Sequence, residues 1–102
     1  MLTPEGRTKV KVRRYLRQQL GAYVYSPVPT GYGASTLDDL VCLNGQFVSI
    51  EYKRRGKKPT PRQLEIMKQI EEANGVALWG DDADQLISEI DTLWETGTMP
   101  SG

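Results

Sequence analysis

The chain's 102 residues suffice for one modest core and not for a second independent one, and 38% hydrophobic with 25% charged residues is the make-up of a folded domain without low-complexity bias. No run of about 18 apolar residues occurs and the N-terminus is polar and basic, which argues against a membrane span or secretory leader and sets the expectation of a cytoplasmic protein. The net charge of zero conceals a division: residues 1 to 68 hold all 13 Lys and Arg against five acids (+8), whereas residues 69 to 102 hold eight acids and no base (−8). Such a division suits a phosphate-binding face with the acidic part turned away, or merely solvated helix faces of differing sign.

In chain order, Val12, Leu16 and Leu20 recur every four residues and predict a helix from about Glu5 to Leu20 with one buried stripe and otherwise basic faces, closed by Gly21. Tyr23 to Tyr25 reads as a short strand and Ser26 to Ser35 as a Pro- and Gly-rich loop. Leu37 to Leu43 and Gln46 to Lys53 are apolar runs around Asn44-Gly45, the sequence of a β-hairpin. Apolar residues on both faces of each run predict central strands covered by helices on either side. Arg54 to Lys58 is a basic loop hinged at Gly56.

Thr60, Pro61 and Gln63 supply an N-cap, a first-turn proline and a capping-box partner for a helix running to about Asn74 and ended by Gly75. Val76 to Trp79 is a strand, and Asp81 or Asp82 caps a last helix with Leu86, Ile87, Ile90, Leu93 and Trp94 inward. Cys42, Trp79 and Trp94 are expected in the core. The expected fold is α/β, a small mixed β-sheet flanked by helices, with residues 1–96 as a single domain and 97–102 as a disordered tail.

Chemistry concentrates at the end of the hairpin. Glu51 and Lys53 end a strand whose other members, Phe47 to Ile50, are core-like; two apart on a strand, they share a face about 6.6 Å apart. A carboxylate and an ammonium so placed can flank one metal-bound water, or form a surface ion pair worth at most about 1 kcal/mol. The hairpin adds an aspartate. A two-residue Asn44-Gly45 loop pairs Asp38 with Glu51; a three-residue loop that includes Gln46 pairs Asp39 with Glu51. The second register is expected here, with Val41 beside Ser49 and Leu43 beside Phe47 on the site face and Leu40, Cys42, Val48, Ile50 and Tyr52 behind. With no histidine and a single cysteine the common zinc sites are excluded, so any metal must be held by oxygen.

Asp39, then Glu51-Tyr52-Lys53, then Gln63 at a helix start resemble the PD-(D/E)xK nucleases, and more closely their VRR-NUC (virus-type replication-repair nuclease) branch. The resemblance runs from Glu5 through the loop at 27 to 33, the Asp39-Leu40 pair, Ile50 to Lys53 and Lys58 to Gln63, on to Val76. It departs from the family at Asp38, which stands where proline is usual. It implies a restriction-endonuclease-like core, with Asp39 and Glu51 as carboxylate ligands and the Tyr52 backbone carbonyl as a third oxygen, a set suited to Mg²⁺ or Mn²⁺. Lys53 would orient the nucleophile and offset developing charge. Gln63 and Glu5 carry over as further site residues, the former as catalytic and the latter as a metal ligand, although the capping box also accounts for Gln63 and a favourable first-turn acid for Glu5.

Arg54, Arg55, Lys57 and Lys58 follow the catalytic strand directly, so a DNA backbone held by them would pass over the site. Tyr32 could stack on a base or pack under its own loop. The resemblance implies a metal-dependent endonuclease acting on structured or branched DNA such as four-way junctions, in a phage or a bacterial host cell; one small site per chain against the two cuts that resolving a junction needs sets the further expectation of a homodimer. The alternative is a non-catalytic DNA-binding accessory module that keeps the nuclease fold; retention of Asp39, Glu51 and Lys53 together argues against it.

Overall fold

Helix α1 (Pro4–Arg14) begins where Thr3 Oγ1 accepts the Gly6 N–H at 2.9 Å, with Pro4 in its first turn. It continues through a π-helical turn, Tyr15–Gln19, and the chain turns away at Gly21, whose φ of +64° lies in the left-handed region. Val12 and Leu16 form the buried stripe expected from their spacing. The structure, a computed structural model, describes residues 2–28 and 35–97. The expectation for Tyr32 lies outside the described residues, and so does that for the tail at 97–102 apart from Gly97, which caps the last helix.

Among the described residues four strands follow in the order β1 (Tyr23–Tyr25), β2 (Asp39–Leu43), β3 (Gln46–Tyr52) and β4 (Val76–Gly80), and they lie side by side in that same order. The first two pairings are antiparallel and the third, across helix α2 (Pro61–Glu72), is parallel, so the sheet is mixed. Helix α3 (Ala83–Thr96) starts at Asp82, whose side chain accepts the Gln85 N–H at 3.0 Å. Helices α1 and α3 cover one face: Val12, Leu16, Leu86, Ile90 and Leu93 pack on Val41, Val48, Ile50, Tyr52 and Leu78. On the other face α2 packs through Ile66 and Met67 with Leu37 and Ala77. Among the described residues no helix is long and apolar enough to cross a membrane.

The hairpin corrects the expected register. Asn44 and Gly45 alone form the turn, with φ of +51° and +81°, and Leu43 pairs with Gln46, Val41 with Val48 and Asp39 with Ile50. Two successive left-handed residues give a turn whose twist matches that of the strands, and Asn-Gly adopts it readily. This register gathers Val41, Leu43, Val48, Ile50 and Tyr52 on the face covered by α1 and α3. The three-residue register would have turned Val41 and Leu43 to the opposite face from Val48 and Ile50 and split that core.

Three further expectations change for one reason: α2 covers only part of its face of the sheet. Cys42 is exposed rather than core, Phe47 on the same row is 47% exposed, and Trp79 is 38% exposed beside α2. Trp94 lies on the solvent side of α3, where Leu86, Ile90 and Leu93 already fill the inner stripe. At the end of α2 the left-handed residue is Asn74, φ +69°, and not Gly75. Gly75 is needed for space: a Cβ there would meet Ile70 Cγ2 at 2.8 Å and the Ile70 carbonyl oxygen at 3.2 Å.

Candidate functional site

The two-residue turn decides which aspartate meets Glu51. Continuing the pairing of Asp39 with Ile50 by one residue sets Asp38 opposite Glu51, and the Asp38 N–H donates to Glu51 Oε1 at 3.2 Å. Asp38 Oδ2 in turn accepts the Tyr52 N–H at 2.9 Å. Asp38, and not Asp39, therefore stands beside Glu51. Asp39 shares its face with Ile50 and Tyr52, where its carboxylate accepts hydrogen bonds from Arg13, Ser26 and Tyr52 and is wholly buried.

Glu51, Lys53 and Gln63 do come together. Gln63 Nε2 donates to Glu51 Oε2 at 3.0 Å, and Gln63 Oε1 accepts from Lys53 Nζ at 3.2 Å. The same Oε1 accepts the Thr60 N–H at 2.9 Å, while Thr60 Oγ1 accepts the Gln63 N–H, completing the capping box. The two sequence readings of Gln63 are thus both present in one side chain: the cap that starts α2 also clamps the acid and the ammonium at the end of β3. With its χ angles fixed by the cap, Gln63 orients Glu51 and Lys53 at little further entropic cost.

Glu51 is only 6% exposed, and its pKa is raised from the ordinary 4.5 to about 7. Burial is the largest cause, followed by the charge of Asp38 and a hydrogen bond between the two carboxyl groups; the nearby Lys53 charge opposes these. Two acids held this close need either a shared proton or a cation. Among the described residues no three acid, cysteine or histidine side chains stand close enough to hold a metal on their own. Glu5 therefore does not complete a triad of carboxylates with Asp38 and Glu51; it approaches through Lys9, whose Nζ lies 3.8 Å from Glu5 Oε1 and 3.9 Å from Asp38 Oδ1.

Lys9 and Arg13 are site neighbours that sequence reasoning did not single out. Their cationic groups stand 6.0 and 5.8 Å from the centre of the Tyr52 ring. The signal was available: Glu5, Lys9 and Arg13 follow one another at four-residue spacing, hence along one stripe of α1.

Beyond Lys53 the chain makes a tight turn in which the Lys57 N–H donates to the Arg54 carbonyl at 2.9 Å and Gly56 takes φ +81°. Asp81 fixes the turn by accepting the Gly56 N–H at 2.9 Å. Arg54, Arg55, Lys57 and Lys58 are exposed and, among the described residues, make no ion pair. A cleft of about 470 Å³ runs beside the turn, lined by Glu5, Arg7, Lys53 and Arg55 but also by Asp81 and Asp84. The acidic part of the chain is thus not wholly turned away, since the start of α3 borders the basic turn and Asp84 pairs with Lys11 at 2.7 Å.

No protein-family model and no curated protein matches this chain. Among solved structures, one described as a VRR_NUC domain superimposes with a TM-score of 0.72, covering 95% of this chain and 100% of its own at 24% sequence identity. The likeness spans nearly all of both chains, so the fold expected from the motifs is the fold adopted: among the described residues, a small mixed sheet with three α-helices in a VRR_NUC-like arrangement.

Proposed function

We propose that this chain is a metal-dependent nuclease that hydrolyses phosphodiester bonds in DNA. The observation that carries this reading is the convergence of Asp38, Glu51, Lys53 and Gln63 at one end of the sheet, with Glu51 pushed to about 7 by burial and by Asp38. A buried Glu51 carboxylate held against a half-buried Asp38 is costly unless a cation completes the pair.

The donor set fits Mg²⁺ or Mn²⁺, hard ions that accept a few protein oxygens and keep several waters. Asp38 and Glu51 would hold the ion together with the Tyr52 carbonyl, and when bound it supplies an acidified water and charge neutralisation at the scissile phosphate. Lys53, held by Gln63, faces the same space and offsets negative charge that develops on the phosphate. Arg54, Arg55, Lys57 and Lys58 bind the flanking phosphates and lay the backbone across the site.

The finer parts of the reading follow the VRR_NUC-like fold and the size of the chain. Structured DNA, four-way junctions in particular, is the proposed substrate, and a homodimer would supply the two cuts that resolving a junction needs. The deciding experiment incubates purified protein with duplex, forked and four-way DNA in Mg²⁺, Mn²⁺ or EDTA. Cleavage that requires the metal and favours the junction is expected. Binding without cleavage under all conditions would leave an accessory module in its place.

A further inference from the structure

Asp39 is the most enclosed charged residue described, with 0% exposure, yet it does not face Asp38 and Glu51. Its Oδ1 accepts from Arg13 Nη2 at 2.8 Å and Ser26 Oγ at 2.7 Å; its Oδ2 accepts from Arg13 Nε at 2.9 Å and the Tyr52 hydroxyl at 2.7 Å. An ionised carboxylate offers about four lone-pair sites, and these partners fill them. The guanidinium, gripped at both of its facing nitrogens, already neutralises the charge. Nothing remains on Asp39 with which to hold a metal.

The partners come from three separate parts of the chain. Arg13 is on α1, Ser26 begins the connection from β1 to β2, and Tyr52 lies between Glu51 and Lys53 on β3. Tyr52 is tied at both ends: its hydroxyl to Asp39 and its main-chain N–H to Asp38. One turn before Arg13 on α1 is Lys9, which stands beside Asp38.

We infer that Asp39 is a positioning residue for the site and not a ligand in it: through Tyr52 it sets the β3 backbone that presents Glu51 and Lys53, and through Arg13 it holds α1 so that Lys9 meets Asp38. This rests on the nuclease reading above for its functional consequence, but its geometric content can be tested without activity. Burying the Tyr52 ring against Asp39 turns it to the α1 side of the sheet, and alternation along the strand then sends Glu51 and Lys53 to the other side. The adjacent aspartates thus divide the work, Asp38 facing the reaction and Asp39 the scaffold.

The test compares Asp39→Asn and Tyr52→Phe with Asp38→Asn as the reference, using three measurements. The first is Mn²⁺ affinity without DNA, read by electron paramagnetic resonance of the free ion. Asp38→Asn is expected to weaken it at least tenfold, while Asp39→Asn and Tyr52→Phe stay within threefold of wild type. The second is the single-turnover cleavage rate at saturating Mn²⁺, expected to fall at least tenfold in both Asp39→Asn and Tyr52→Phe. The third is amide hydrogen exchange in the metal-free protein. The residue-52 amide should exchange at least tenfold faster in both variants, with the Leu78 amide on β4 unchanged, which a general loss of stability would not produce.

Should Asp39→Asn fail to fold, Tyr52→Phe keeps the buried charge and its Arg13 pairing and carries the comparison alone. An Mn²⁺ affinity that drops as far in Asp39→Asn as in Asp38→Asn makes Asp39 a ligand and overturns the inference. A residue-52 amide as protected in Tyr52→Phe as in wild type overturns it equally. If the wild-type chain cuts no DNA, the nuclease reading falls, and the amide measurement still decides whether Asp39 sets the geometry.

Discussion

Asp38 gives its main-chain N–H to Glu51 while its own carboxylate accepts the N–H of the next residue along, Tyr52, so the acids of neighbouring strands are latched to each other through the backbone. The latch holds two carboxylates at one point through the main chain. Replacing Glu51 or Lys53 should therefore remove function with little change of fold. Glu51→Ala and Lys53→Ala are each expected to reduce cleavage at least about a hundredfold, roughly 2.7 kcal/mol of transition-state stabilisation, with an unchanged circular dichroism spectrum. Wild-type turnover in either folded variant would mean that the reaction takes place elsewhere.

The raised pKa of Glu51 predicts a particular response to pH. Its folded value, about 7, lies above the ordinary 4.5, so between these values the folded state binds more protons than the unfolded one. The resulting contribution to stability is fully present below about 4.5 and lost as pH rises through about 7. Without metal, the melting temperature of Glu51→Gln should depend less on pH between about 5 and 8 than that of wild type. Glu89, also raised by burial, retains its part of the slope in the variant. Mn²⁺ needs the ionised carboxylate, so its affinity should climb over the same interval. Parallel melting curves for wild type and Glu51→Gln across the pH series would contradict this account.

The basic turn should govern salt dependence. Arg54, Arg55, Lys57 and Lys58 are all exposed and free of ion pairs among the described residues. Replacing them with Ala should lower the log-log salt slope on duplex DNA by about 0.9 for every phosphate that they neutralise in the wild-type complex. Binding titrations from low to moderate salt measure it. An unchanged slope would move the phosphate-binding face to α1, where Arg7 and Arg14 are exposed.

Gly75→Ala should lower stability by about 1 to 3 kcal/mol, because the new methyl group has to displace the Ile70 side chain and presses on its carbonyl oxygen. Urea unfolding measures the change. Gly45→Ala is the informative comparison: nothing lies within 4 Å of a Cβ there, and its cost would come from φ +81° alone. Unaltered stability in Gly75→Ala would show that Ile70 moves aside freely.

If the chain acts as a homodimer on junctions, light scattering over a concentration series should give a two-chain mass, at least with a four-way junction present. A one-chain mass with and without DNA, accompanied by full nicking activity, would establish a monomer that cuts one strand at a time.

The features that residue order settles unaided are local ones. Thr60 with Gln63 caps a helix, and Asp82 is one of the two caps offered for the last one, because each side chain accepts a main-chain N–H three residues on, and Asn44-Gly45 turns the hairpin because both residues tolerate left-handed backbone. The four-residue spacing of Val12 and Leu16, and the pairing of Glu51 with Lys53, were legible for the same reason, since helix and strand periods convert spacing directly into a shared face, whereas Gln63 was placed beside them only by the family resemblance. The choice between Asp38 and Asp39 was not local. The two side chains are identical, and a single-residue shift in register exchanges their faces. The packing of Val41, Leu43, Val48 and Ile50 under α1 and α3, with Arg13 arriving from 26 residues away to neutralise Asp39, selects the two-residue turn over the three-residue one and so which aspartate meets Glu51. The exposure of Cys42, Phe47 and Trp79 was likewise a tertiary matter, because a strand's apolar pattern does not say how much of a sheet one 12-residue helix can cover.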